Sequence, residues 1–129
     1  MPWVKVVPVS SLRPGDRLAV EIRPDGTPPD AFPLEIVVWR TAAGVLSACD
    51  GRCPHQWSNL ADEGEVQGEE LVCTAHHWRF DVEGRGTKRN VLGRRDPKSD
   101  VPTHPVREEL GTIELLLAVD GKVSTRGAG

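Results

Sequence analysis

The segment Arg52-Cys53-Pro54-His55 is followed, after residues 56–72, by Cys73-Thr74-Ala75-His76. Each segment joins one thiol to one imidazole, as Cys-x-His in the first and as Cys-x-x-His in the second. Thiolate sulfur and imidazole nitrogen are ligand atoms that proteins use for zinc and for iron–sulfur clusters. The pattern therefore predicts a metal centre, and its candidate ligands are Cys53, His55, Cys73 and His76.

Counting cysteines restricts the kind of centre. The chain has three, Cys49, Cys53 and Cys73, whereas a cluster held by thiolates alone needs four. Histidine must complete any iron–sulfur cluster bound within one chain. Two ferric ions, two sulfides and two thiolates carry no net charge when the imidazoles are neutral. Such a centre accepts an electron more readily than an all-cysteine one, at roughly -150 to +300 mV.

A structural zinc site with two sulfur and two nitrogen ligands is the alternative. Zinc ribbons and fingers usually pair Cys with Cys and His with His, whereas this chain pairs Cys with His twice. The order of the ligands favours the two-iron cluster, and zinc stays open as an alternative.

Arg52-Cys53-Pro54-His55 and Cys73-x-x-His76-x-Trp78-Arg79-Phe80-Asp81 resemble the motifs of Rieske-type ferredoxins and of the N-terminal domains of Rieske oxygenases. The resemblance is close over residues 34–83. It implies one Rieske-type 2Fe-2S cluster per chain, with the cysteines on one iron and His55 and His76 on the other. It also implies that each histidine binds iron through its inner ring nitrogen and turns the outer one to solvent, near where a partner docks.

The chain departs from this family at two positions. The family usually has Gly where this chain has Trp57, and again directly after the second ligand histidine, where this chain has His77. Both residues make the ligand loops bulkier. Because the family spacing selects His76 as the ligand, we interpret His77 as a solvent-facing imidazole beside the cluster.

The Rieske proteins of respiratory and photosynthetic complexes differ in residues around the cluster. They carry a disulfide where this chain has Ser58 and Ala75, and a serine where it has Trp78, and this chain has no tyrosine. These differences favour the lower part of the potential range. The apolar runs at 36–39 and 115–119 are too short to span a bilayer, and the first residues do not resemble a signal peptide. Free thiols fit a reducing compartment, so we expect a cytoplasmic protein without a membrane role.

No catalytic constellation is recognisable. A terminal Rieske oxygenase needs a further iron held by two histidines and a carboxylate, and only His77 and His104 remain for it. A chain of 129 residues also leaves little room for a catalytic domain. We therefore expect an electron-transfer protein rather than an enzyme, without catalytic residues or a small-molecule substrate of its own.

Short β-rich segments between frequent Pro and Gly residues predict an all-β fold, an antiparallel sandwich or barrel. Ala42-Ala43-Gly44 and Asp120-Gly121 are interpreted as hairpin turns, the second leading to Lys122-Val123. Residues 23–33 and 84–103 are expected to be polar excursions, and 124–129 a frayed tail. The predicted strands are Leu18 to Ile22, Leu34 to Arg40, Val45 to Ala48, Leu71 to Cys73, Arg79 to Val82 and Ile113 to Val119.

The resemblance also implies the organisation of the chain. Residues 1–129 would form a single Rieske domain, in which a small cluster-binding subdomain, about 49–82, is inserted into a basal sheet made by both flanking segments. Cys49 has no counterpart as a ligand in the family, so we interpret it as a small buried thiol.

Charge is segregated along the chain although the formal net charge is only -3. Residues 61–70 carry five acidic side chains and no basic one, whereas residues 85–98 carry six basic side chains and one acidic one. Two interpretations stay open: solvated loops that pair with each other, and a docking surface for a redox partner. Nucleic-acid binding fits poorly with the acidic balance and few aromatics.

Together these features predict a soluble, monomeric Rieske ferredoxin that carries one electron from a ferredoxin reductase to a terminal oxygenase. A Rieske subunit bound permanently to a catalytic chain, as in some nitrite reductases, is the second hypothesis. A zinc site on a β scaffold is the third.

Overall fold

The computed structural model describes residues 3–53, 59–117 and 120–126. Its architecture is all-β with antiparallel strands, which confirms the predicted fold class. Within the described ranges no helix is long and apolar enough to cross a membrane. The elements in chain order are β1 (Trp3–Pro8), a 3-10 turn (Val9–Ser11), β2 (Arg17–Pro24), β3 (Leu34–Arg40), β4 (Leu46–Asp50), α1 (Leu60–Glu63), β5 (Gly64–Gln67), β6 (Glu70–Cys73), β7 (Trp78–Phe80), β8 (Gly86–Arg89), β9 (Arg95–Lys98), β10 (Val106–Glu109), β11 (Thr112–Leu116) and β12 (Gly121–Arg126).

The strands form three sheets. Strands β1, β11 and β10 make the first, in the order β1-β11-β10, and the second has the order β12-β2-β3-β4. The third, of five strands in sequence order from β5 to β9, is a meander in which each strand pairs with the next. The two ends of the chain thus build the first two sheets, and the middle builds the third.

The first core lies between the two sheets made by the chain ends. It contains alternate residues of β2, β3 and β11, as expected for strands with one face turned inward. Its buried members are Leu12, Leu18, Val20, Ile22, Ile36, Val38, Ala48, Ile113, Leu115 and Leu117.

The second core lies on the opposite face of β3 and β4. Val37, Trp39 and Cys49 point to this side, where they meet buried residues of α1, β6 and β7. The side chains from the middle of the chain are Cys53, Leu60, Leu71, Cys73, Trp78, Phe80 and Val101. This core therefore joins the five-stranded sheet to the rest of the fold and contains both candidate cysteine ligands.

Each of the six predicted strands overlaps an observed one, and the span 34–40 matches β3 at both ends. The turn before β4 is also present, with Gly44 at φ 92° and its N–H 2.9 Å from the Thr41 carbonyl oxygen. The prediction of a hairpin at Asp120-Gly121 is wrong, because the strand that follows pairs with β2 rather than with β11. An Asp-Gly pair favours a turn, but the partner of the next strand is set by the core, onto which Val123 packs.

Two further segments differ from expectation. Residues 84–103, expected to be a polar excursion, contain the hairpin of β8 and β9. The expected tail at 124–129 is part of β12 as far as Arg126, and 127–129 lie outside the described residues. Both segments are polar, so their hydrophobic pattern gave no sign of strands. The division of the chain into a cluster-binding subdomain and a basal sheet stays a prediction.

The junction of α1 and β5 depends on a glycine. A Cβ atom at Gly64 would lie 2.2 Å from the Leu60 carbonyl oxygen, which accepts the hydrogen bond of the Gly64 N–H. Gly64→Ala should therefore destabilise the protein by about 1–3 kcal/mol through overpacking. Urea unfolding followed by tryptophan fluorescence measures this. Gly68→Ala is the control, since Gly68 (φ 62°) has open space around it and would suffer only backbone strain. Equal losses in the two variants would contradict the role of the close contact.

Candidate metal centre

Cys53 is positioned by the end of β4. The chain leaves this strand along the start of β3, where the Gly51 N–H donates to the Glu35 carbonyl oxygen at 2.8 Å. On the other side the Asp50 N–H donates to the Pro102 carbonyl oxygen at 2.9 Å. The Cys53 side chain, two residues after Gly51, is fully buried in the second core. Its position therefore follows from the pairing of β4 rather than from a free loop.

The loop that follows Cys53 is closed at its base. Arg52 and Asn59 form an isolated β-bridge, and the Leu60 N–H donates to the Gly51 carbonyl oxygen at 2.7 Å. Asn59 also caps α1, because its Oδ1 accepts from the Ala61 N–H at 2.8 Å. The predicted ligand His55, together with Trp57 and Ser58, lies outside the described residues.

Cys73 ends β6 and is paired on both sides, with Gly64 of β5 and with Trp78 of β7. The four residues 74–77 form a turn between β6 and β7. Its closing bond is short, since the His77 N–H donates to the Cys73 carbonyl oxygen at 2.6 Å. The turn is anchored from the side as well, because Thr74 donates from both its N–H (2.8 Å) and its hydroxyl (2.7 Å) to the Glu63 carbonyl oxygen.

The two histidines of this turn have different environments. His76 is half-buried, whereas His77 is exposed and has a φ of 61°. Left-handed backbone favours glycine, which gives a physical reason for the glycine that the family has at this place. His77 thus occupies a glycine position, with its side chain in solvent as predicted.

Cys53 and Cys73 are brought together in one core, both fully buried and neither in a disulfide. His76 follows Cys73 by three residues within the same turn. Among the described residues no three Cys, His, Asp or Glu side chains surround a single point. A two-iron centre divides its four ligands two by two and does not require such a group. Two buried thiols beside a histidine-bearing turn therefore fit a 2Fe-2S cluster.

Cys49 also lies in the second core, but its environment is that of an inert thiol. Burial, and secondarily the negative charge of Asp50, raise the pKa of Cys49 to about 12. It is protonated at neutral pH and lies in β4, paired with Val37. The interpretation of Cys49 as a small buried thiol agrees with this position.

One ionic contact near the site could not be expected from the sequence. Arg126 of β12 binds three carboxylates, with distances of 3.0 Å to Glu21, 2.9 Å to Glu35 and 2.6 Å to Asp62. Asp62 belongs to α1, so this arginine links the helix that ends the ligand loop to two strands of the second sheet. These carboxylates, Asp62 first, raise the pKa of Arg126 above its usual range. An isolated arginine near the end of a chain carries no sequence signal of such a role.

A family model described as the Rieske [2Fe-2S] domain matches residues 2–106. A curated relative, the 4beta-methylsterol monooxygenase of Methylococcus capsulatus, is 42% identical over 85 residues, which are 63% of this chain and 23% of the relative. The cholesterol 7-desaturase nvd 1 of Ciona intestinalis is 29% identical over 120 residues, covering 93% of this chain and 24% of its own. The chain thus spans about a quarter of the length of these curated relatives.

Solved structures show the same fold. A crystal structure of dicamba monooxygenase bound to dicamba matches with a TM-score of 0.70 and 24% identity, over 88% of this chain and 31% of that chain. A complex of reduced oxygenase and oxidized ferredoxin in carbazole 1,9a-dioxygenase matches with a TM-score of 0.62 and 20% identity. In that case the match covers 88% of this chain and 91% of the other.

The backbone at His77 generates a test. His77→Val should be less stable than His77→Gly by about 1–2 kcal/mol, because a β-branched residue fits left-handed backbone poorly. Thermal unfolding of the two variants measures the difference. At Lys122, an exposed position of β12, the same two substitutions should rank in the reverse order, since Val favours strands. If Val and Gly were equivalent at position 77, the conformation of the turn would be contradicted.

Proposed function

We propose a function from one premise, that this chain belongs to the Rieske [2Fe-2S] domain family. The cofactor of such a domain is a Rieske-type 2Fe-2S cluster, and its general role is electron transfer. Beyond this general role, we propose the ligands of the cluster, the partners of the chain and its action as a free carrier.

The proposed ligands are Cys53 and Cys73 for one iron and His55 and His76 for the other. Two described features support this set. Cys53 and Cys73 are buried in one core, neither is in a disulfide, and each ends a strand or follows one closely. His76 lies on the turn closed by the Cys73 carbonyl oxygen. A zinc site with the same four residues has no support from the family.

Each part of the scaffold has a task in this proposal. When bound, the cluster takes up and releases one electron at a time. The buried cysteines keep water from their sulfur atoms, and hydrogen bonds anchor the turn after Cys73 at Thr74 and the return of the chain at Asn59. A rigid set of ligands changes little between oxidation states, so little energy is spent on rearrangement during transfer. His76 is half-buried, which fits a ring that binds iron through one nitrogen and presents the other to a partner.

We place the chain between two protein partners, a ferredoxin reductase that supplies the electron and a terminal oxygenase that consumes it. The names of the curated relatives support an oxygenase as acceptor, since several are monooxygenases or oxygenase components. The carrying observation is the pair of cysteines, buried in one core and not in a disulfide, beside the histidine-bearing turn. In this role the chain acts in the cytoplasm and binds no substrate of its own.

A second candidate is a Rieske component held permanently by a catalytic oxygenase. The observation that favours it is the 42% identity to a monooxygenase over a part of that protein. The two candidates differ in surface, because an obligate subunit needs a large apolar interface and a shuttle does not.

The free-carrier proposal predicts a monomer. Gel filtration with light scattering of the purified holoprotein should give a mass near the 14.1 kDa of the chain at all concentrations tested. A shift towards dimer or trimer with rising concentration would instead favour the obligate-subunit candidate. Globular proteins of known and similar mass calibrate the column.

The ligand assignment is tested by two neighbouring histidines. His76→Ala should abolish the visible absorption of the cluster and the electron paramagnetic resonance signal of the reduced protein, because an iron loses a ligand. His77→Ala is the matched control and should retain both signals. Iron and sulfide content, measured on each variant, separates loss of the cluster from a shifted spectrum. The opposite pattern, with His77 essential and His76 dispensable, would overturn the assignment.

A further inference from the structure

The tip of the hairpin formed by β8 and β9 presents two aliphatic side chains to solvent. Val91 is 101% exposed and Leu92 75% exposed. The tip is nevertheless ordered by Asn90, whose Oδ1 accepts from the Leu92 N–H at 2.9 Å and from the Arg94 N–H at 3.1 Å. The Gly93 N–H closes the turn on the Asn90 carbonyl oxygen at 2.9 Å. The two aliphatic groups are therefore held out on a preformed turn.

The arms of this hairpin carry an excess of positive charge, although Asp96 is level with Lys88 across the two strands. Arg89 and Arg95 are directly paired across the two strands, which is unfavourable for like charges. Arg95 is neutralised by Glu70, at 2.8 Å between Nη2 and Oε1. In the part of the chain that the structure describes, no ion pair involves Lys88, Arg89, Arg94 or Lys98. We call residues 86–98, with this tip and these charges, the basic hairpin.

Strand register places the tip beside the turn that carries His76. Arg79 of β7 pairs with Thr87 of β8 in antiparallel register. Continuing this register by two residues along each chain segment brings Arg89 level with His77. The tip then lies at the same end of the sheet as residues 74–77. Two strand spacings separate the two turns, or about 10 Å.

The other side of the same sheet end is acidic. Glu63 is exposed and adjoins Thr74 through its carbonyl oxygen, and Glu65 is exposed on β5. The histidine-bearing turn thus lies between a negative and a positive edge. A uniformly anionic surface, such as a lipid bilayer, would be repelled by one of these edges, whereas a protein can match both and be oriented by them.

We propose that the basic hairpin is a docking surface for a redox partner protein whose contact region has carboxylates around an apolar recess. Val91 and Leu92 fill the recess, and Lys88, Arg89 and Arg94 meet the carboxylates. This proposal rests on the electron-carrier function proposed above and names the chemistry of the partner. Opposite charges would speed encounter, and a small apolar contact would allow rapid release.

The probe is an acidic flavodoxin in its reduced form, mixed with the oxidised holoprotein in a stopped-flow instrument. One electron leaves the flavodoxin and reduces one cluster, and the loss of cluster absorption gives the second-order rate constant. Arg89→Glu with Arg94→Glu should lower this constant about tenfold or more at low salt and flatten its salt dependence. Val91→Ser with Leu92→Ser should raise the dissociation constant for oxidised flavodoxin, measured by titration calorimetry.

Matched controls lie far from the histidine-bearing turn. Arg13→Glu with Lys122→Glu changes the net charge equally, and Leu110→Ser removes an aliphatic group that is 97% exposed at the turn between β10 and β11. Both controls should behave as the unmodified protein. Unchanged rates and affinities in the hairpin variants, or equal losses in the controls, would overturn the docking proposal.

A small neutral reductant separates the two proposals. If this reductant does not reduce the unmodified protein, the proposed carrier function is wrong. If it reduces all variants at the same rate, any difference in their rates with flavodoxin comes from the docking step. Flotation with vesicles of equal parts phosphatidylserine and phosphatidylcholine tests the lipid alternative. Binding of the unmodified protein that is lost in the Val91 and Leu92 variant would replace the protein partner with a membrane and overturn the proposal.

Discussion

Burial of β3 on both faces is the constraint on which the rest of the structure depends. Ile36 and Val38 contribute to one core, and Val37 and Trp39 to the other. Each of these side chains stabilises the fold by about 1.5–3 kcal/mol relative to exposure. A shift of register by one residue would exchange the two sets and place a tryptophan where the first core has Val38. The strand therefore fixes, in one step, the sandwich made by the chain ends and the platform under the candidate ligands.

The burial of β3 also means that the segments carrying the candidate ligands are short and restrained at both ends. The segment after Cys53 starts at the end of β4 and returns to the Arg52–Asn59 bridge. The turn after Cys73 is continuous with two paired strands. Such loops need few interactions of their own, because the sheets supply the positions and the loops supply only the donor atoms. Arg126 adds a long-range restraint, from β12 to α1.

Much of the fold could be predicted because the decisive strands are apolar and β-branched. The run from Leu34 to Arg40 is an example, since its continuous hydrophobicity is typical of a strand buried on both faces. The polar strand Arg95–Lys98 escaped prediction, and of Gly121–Arg126 only Lys122-Val123 was expected after a turn, because exposed residues give no periodic signal. The pairing of β12 with β2 could not be foreseen from a local Asp-Gly turn, because which strand pairs with it is decided by the first core rather than by nearby sequence.

The sequence predicts candidate ligands, but it does not predict the contacts that support them. The motif spacing, together with the family resemblance, selects the two cysteines and His76, while the left-handed backbone at His77 is visible only in three dimensions. Asn59 caps α1 through its side-chain Oδ1, and Thr74 is anchored through its hydroxyl as well as its N–H. Glu63 takes part through its carbonyl oxygen, which any residue possesses, so sequence cannot single it out.

The charged surface of the basic hairpin is separate from the core that holds the candidate cysteine ligands. The core that positions the cysteines and the hairpin tip at Val91 share no side chains, so the surface can vary while the centre stays constant. Electron transfer requires only that a donor and an acceptor approach closely and in the correct orientation. In the proposed carrier, the histidine-bearing turn would meet the first of these requirements and the charges at the two edges of the sheet would meet the second.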